Sequence, residues 1–274
     1  MHPKTKAAIE VVILFGGTLF LIVVLSGSSI GEWQRHHTPH PFLEYALMIA
    51  LPLLLIAVRR GRPTDYGLTL KSLKRQLDIF LTALVPFAIA SLAFAFLNPQ
   101  QWDHAFLLAG IRIALLFALA LMMRKKPTIS TGAMLPGFVL AMLAGDPAAQ
   151  GIMEKTMIST VFFIMFLGPG EELLFRGYIQ SRLNSAWGRP FRFYGVSWGW
   201  GVIMTSALFG LMHVLSLGDL IGGDWRLSWS YGFWTFFSGL VYSYVREKSG
   251  GILVPALLHG FPQAIAYSIM MSAP

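Results

Sequence analysis

Two carboxylates and a guanidinium stand together in GPGEELLFRG, where Glu171, Glu172 and Arg176 directly follow the apolar run VFFIMFL. Glu172 and Arg176 are four residues apart with the carboxylate first, the favourable order for an ion pair on a helix. Glu171 is turned about 100° from Glu172, so the two carboxylates are expected to face different surroundings. One then braces Arg176, and the other is free to act as a base in a cavity. The bland alternative is a helix-capping acid beside a surface salt bridge. Further along, His213 closes the stretch TSALFGLMH, four residues after Phe209, whose ring would lie one turn below it. His259, in PALLHGFPQ, precedes Gln263 by four, so these two side chains share a helix face and can reach one ligand. A base for water and polar donors for a developing oxyanion are what peptide hydrolysis requires. A lone histidine in an apolar helix is more often a packing residue; two of them with the Glu–Arg motif point to chemistry.

These residues must be positioned by membrane helices. The chain has 274 residues, 55% hydrophobic and 12% charged, and a mean hydropathy of +0.62. Soluble domains carry about a quarter charged residues. Apolar segments fall at roughly 7–26, 42–58, 77–97, 105–123, 131–145, 153–168, 196–217, 229–245 and 251–272, near the length of about 20 residues that crosses a bilayer. The expected fold is an all-α polytopic transmembrane helix bundle of eight to nine membrane segments, the fifth being short enough to be re-entrant. The first segment is longer than a signal-peptide core of about 7–15 residues and reads as a retained helix. No repeat or soluble domain is visible. Residues 1–150 supply N-terminal helices, and residues 151–274 carry the motifs.

Placing the N-terminus in the cytoplasm puts seventeen of the 21 basic residues on that side and only Arg35 and Arg226 on the other, as the positive-inside bias requires. The net charge of +8 then reflects orientation and contact with anionic lipid. Nucleic acid is not an expected partner, because no basic run is interleaved with aromatics. On this topology Pro169 and Gly170 interrupt the sixth helix at its cytoplasmic end, and a new amphipathic helix starts near Glu171. Cysteine is absent, which excludes thiol nucleophiles, thiolate metal sites and disulfides. His36, His37 and His40 read as a solvated loop. Arg112, inside the fourth segment, has no partner assignable from the sequence.

EELLFR, FGLMH and HGFPQ, in this order on successive helices, resemble the CPBP family of intramembrane proteases, which includes the type II CAAX prenyl endopeptidases and bacteriocin-processing or self-immunity relatives. The family pattern is EExxxR, FxxxH, then HxxxN or HxxxD, and the resemblance covers about residues 153–272. It implies an intramembrane endopeptidase acting on a peptide or lipidated peptide. Glu171 would be the base that activates water, and His213 would help hold that water. His259 and position 263 would stabilise the oxyanion, with Glu172, Arg176 and Phe209 in support. Gln263 departs from the pattern: it keeps the amide donor but adds a methylene, and a non-proteolytic scaffold or immunity protein is the alternative it raises. A transporter using the same buried groups lacks paired broken helices. Glu171, His213 and His259 could form a zinc site with an open position, but no HExxH brings ligands together, and water held by Glu171 and His213 needs no metal. The expected setting is an integral membrane protein, bacterial plasma membrane rather than endoplasmic reticulum, with the site near the cytoplasmic side.

Overall fold

Nine helices and one short hairpin make up the described part of a computed structural model, residues 2–124, 150–215 and 226–272. Helix α1 (Pro3–Ser26) is followed by the short α2 (Ser29–His37), α3 (Phe42–Val58), α4 (Leu73–Phe96) and α5 (Trp102–Met122). Helix α6 comprises Gln150–Val161, a π-helical stretch Phe162–Leu167, the α-helical Gly168–Glu172, a second π-helical stretch Leu173–Ile179, and Gln180–Trp187. Strands β1 (Phe191–Phe193) and β2 (Val196–Trp198) pair antiparallel and lead into α7 (Trp200–Val214). Helices α8 (Trp229–Ser249) and α9 (Leu253–Ser272) complete the bundle.

Among the described residues four helices are long and apolar enough to cross a membrane: Pro3–Ser26, Leu73–Phe94, Trp102–Met122 and Thr156–Trp187. Phe42–Val58, Trp200–Val214 and Leu253–Ile265 are shorter apolar helices. Large apolar side chains such as Val12, Ile13, Phe20, Ile89 and Met165 face outward, as a lipid-facing surface requires. The expected fifth segment, 131–145, lies outside the described residues. The expected span 196–217 starts instead as a strand, and its helix begins at Trp200.

The expected break at Pro169 does not occur. Helix α6 runs on through Thr156–Trp187, 32 residues, and Glu171 lies midway along it. Proline removes a backbone donor and crowds the preceding turn. Here the widened π-helical turn ahead of it absorbs the misfit, with the Gly168 N–H donating to the Phe163 carbonyl. In an apolar environment the backbone keeps its hydrogen bonds within the segment, which favours a bulge over a break. π-Helical stretches often mark functional sites, and here one lies on either side of the Gly168–Glu172 turn.

Two buried clusters flank α6. In one, Val11, Phe15 and Ile22 of α1 and Met48 of α3 pack on Phe175 and Ile179 of α6 and Phe209 of α7. In the other, Phe80 and Phe87 of α4 and Leu115 and Leu119 of α5 pack on Val241 and Val245 of α8 and Leu258 of α9. His40 corrects the expectation of a solvated loop. Its ring stacks on Phe162 at 4.4 Å and its Nε2 lies 2.7 Å from Ser159 Oγ. Burial pushes this imidazole below its ordinary range, so it packs as a neutral ring. His36 and His37 remain exposed on α2.

Candidate functional site

The close approach of α6 and α9 starts from two glycines. A Cβ on Gly168 would lie 2.4 Å from the Ala256 carbonyl oxygen, and one on Gly260 would lie 2.3 Å from that of Phe163. Small residues let membrane helices pack backbone to backbone. Here that contact holds His259, the neighbour of Gly260, against the carboxylates of α6.

His259 lies between both glutamates. Its Nδ1 donates to Glu172 Oε1 at 3.0 Å, and its Nε2 lies 3.6 Å from Glu171 Oε2. The expectation of separate surroundings for the two carboxylates is thus corrected: they flank opposite nitrogens of one ring. Since Nδ1 is committed to Glu172, Nε2 is the nitrogen that can serve a reacting group. Glu171, Glu172 and His259 are 4%, 0% and 5% exposed.

Arg176 is completely buried. Its Nη1 donates to Glu172 Oε1 at 2.9 Å and its Nη2 to the Gly239 carbonyl of α8 at 3.2 Å, while its guanidinium carbon lies 4.4 Å from the Phe209 ring centre. The expected Glu172–Arg176 brace is therefore present, and it ties α6 to α7 and α8. Uncompensated burial of either charge would cost several kcal/mol, so the pair holds because each member satisfies the other.

On α7, His213 Nδ1 donates to the Phe209 carbonyl at 2.8 Å. In the neutral ring this fixes the tautomer and leaves Nε2 as an acceptor. The Phe209 ring lies 4.5 Å from His213 and 6.1 Å from His259, so it separates the two imidazoles as the spacing suggests.

His213, His259, Gln263 and Phe209 line one cavity of about 310 Å³, together with Tyr231, Tyr242, Trp234 and Arg112. Glu171 is not among the lining residues, but its Oε2 lies 3.6 Å from Nε2 of His259, which is on the wall. Sequence reasoning missed three tyrosines. Tyr45 of α3 donates to Glu171 Oε1 at 3.2 Å, Tyr242 stacks on His259 at 4.7 Å, and Tyr231 lies 5.4 Å from His213. Tyr45 comes from outside the motif region, and no spacing rule links it to Glu171.

The cavity occupies one half of the bundle. Glu10 pairs with Arg59 and Arg182, Arg189 pairs with Glu247, and Arg75 reaches the Lys248 carbonyl. These contacts gather the start of α1, the end of α3, the start of α4 and the ends of α6 and α8 at a basic end. Ser91 and Phe94 late in α4, His213 at the end of α7, Tyr231 early in α8 and Gln263 late in α9 line the cavity towards the opposite end. Glu171, expected at the end of the sixth segment, lies midway along α6, and the cavity opens on the side away from the basic end.

Among the described residues no three His, Cys, Asp or Glu side chains are gathered as metal ligands. His259 Nδ1 is bonded to Glu172, which leaves its Nε2 facing Glu171.

Fold and site together define an integral membrane helical bundle with a buried carboxylate–imidazole centre. Residues 153–265, less than half of the chain, match the family model described as type II CAAX prenyl endopeptidase Rce1-like, a match that supports membership of the CPBP family, a protease family. It is also similar to the "Uncharacterized 24.3 kDa protein" of Escherichia coli, 31% identical over 140 residues, which cover 48% of this chain and 54% of that protein. The chain thus spans about half the length of the curated relative it matches. No solved structure matches it significantly.

Proposed function

We propose that the protein is an intramembrane endopeptidase that hydrolyses a membrane-associated peptide through water activated by Glu171. The observation that carries this reading is the buried array Glu171–His259–Glu172 set against the cavity. Glu171, oriented by the Tyr45 hydroxyl, takes a proton from water as the oxygen attacks the scissile carbonyl. The acceptor nitrogen of His213 helps hold that water. Protonated on both nitrogens between the two carboxylates, His259 donates from Nε2, with the Gln263 amide, to the oxyanion that forms. Collapse of the tetrahedral intermediate returns the proton to the departing amine. Glu172 holds the His259 ring, and Arg176 holds Glu172.

Losing one oxyanion donor typically costs about 2.7–4 kcal/mol, so each of these contacts matters to rate. The cavity volume, about 310 Å³, is at the small end of ligand cavities, which run about 300–1,000 Å³, and suits a short extended peptide tail. Prenylated CAAX-type peptides belong to that class. The position of Gln263 on the cavity wall beside His259 favours a donor role over the binding-only alternative. The reading needs no metal. With the basic end in the cytoplasm, substrate enters from the other leaflet or laterally from lipid.

The test is cleavage of a fluorogenic farnesylated CAAX peptide, beside an unprenylated control, by the wild type and by Glu171→Gln. Cleavage by the wild type alone is the expected result. Equal rates for both proteins refute the mechanism.

A further inference from the structure

Arg112 stands in the middle of α5, outside the region that matches the protease family. It is 6% exposed, and it lines the cavity that holds His213, His259 and Gln263. Its Nη1 makes no hydrogen bond, and among the described residues no carboxylate pairs with it. Its guanidinium carbon lies 5.4 Å from the Trp234 ring centre, and among the described residues Tyr242 also stands close enough to interact with it. The other buried arginines are treated differently: Arg176 is paired with Glu172 and Arg246 with Glu247.

Among the described residues no acidic side chain lines the cavity. Most of its wall is aromatic or apolar, and among the described residues Arg112 is the only Lys or Arg on it. A guanidinium kept away from water and left without an anion is costly unless a ligand supplies one. Its planar fork matches a carboxylate, which accepts two parallel hydrogen bonds from it.

Resting on the endopeptidase reading, we propose that Arg112 anchors the free C-terminal carboxylate of the substrate peptide. The apolar wall then receives the last side chains, and the scissile bond is presented to the Glu171–His259 centre. The enzyme thereby measures from the chain end and releases a short C-terminal fragment. Arg112 is a specificity residue and takes no part in proton transfer.

The test uses the full-length protein in detergent and two dansylated, farnesylated peptides with the same aliphatic CAAX-type tail. One ends in a free acid and the other in an amide. Binding is followed by fluorescence anisotropy and cleavage by product release, for the wild type, Arg112→Gln and Arg112→Lys, with thermal melting as the check on folding. The wild type is expected to bind the free acid at least about tenfold more tightly than the amide. Arg112→Gln should lose that preference by weakening the acid alone, and Arg112→Lys should keep part of it. Equal wild-type affinity for acid and amide, no binding of either, or a preference that survives in Arg112→Gln overturns the proposal. The acid–amide comparison needs no variant, so a misfolded mutant does not protect the idea. The two readings also separate: an Arg112-dependent preference without cleavage sinks the protease and keeps the anchor, whereas equal cleavage of both peptides does the reverse.

Discussion

The Glu172–Arg176 pair offers a quantitative test of how the site is held. Both side chains are 0% exposed, and Arg176 also donates to the Gly239 carbonyl and lies over Phe209. Removing one partner of a buried pair strands the other charge, at a cost of about 3–5 kcal/mol. Arg176→Gln should therefore destabilise by about that much, and Glu172→Gln by a similar amount because the acceptor it leaves for His259 is no longer charged. At about 2–4 °C per kcal/mol for a chain of this size, either single variant should melt about 6–20 °C below the wild type. In the double variant no charge is stranded, so its loss should fall short of the sum of the single losses by about 2 kcal/mol or more. Thermal unfolding in one detergent, read by tryptophan fluorescence and repeated by urea titration, gives the four corners of the cycle. Additive losses, or single losses under about 1 kcal/mol, would show that the pair does not brace α6 against α7 and α8.

Two further variants probe the same geometry. Tyr45→Phe removes the hydroxyl that donates to Glu171; a hydrogen bond to a charged group contributes about 1.5–3 kcal/mol, so kcat on a cleaved peptide should fall about 10–100-fold with KM little changed. An unaltered kcat would remove Tyr45 from the orienting role. Gly260→Ala places a methyl 2.3 Å from the Phe163 carbonyl oxygen and must push α9 off α6. Overpacking of this kind costs about 1–3 kcal/mol, and the displacement of His259 should lower activity beyond the loss in folded fraction. Wild-type stability and rate would refute the close-contact argument.

The motif residues were legible because their chemistry is written in short-range spacing. Glu172 with Arg176, Phe209 with His213, and His259 with Gln263 are each four apart, and helical geometry alone puts each pair on one face. That the protein is an integral membrane bundle of helices followed from composition, since so few charges and so many apolar runs suit no soluble fold. The continuity of α6 was not legible. Pro169 and Gly170 signal a break in water, whereas apolar surroundings make a π-helical bulge the less costly answer.

What only the tertiary structure decided is which distant side chains meet. The convergence of Glu171 and Glu172 on one imidazole depends on the backbone contact of Gly168 and Gly260 with facing carbonyls. Tyr45 and Arg112 come from α3 and α5, far along the chain from the motifs, and nothing in their local sequence names their partners. Spacing fixes which residues share a helix face, because the helical period is a local property. The rotation and depth at which separate helices dock depend on packing along their whole length, so the assembled centre exists only in the folded bundle.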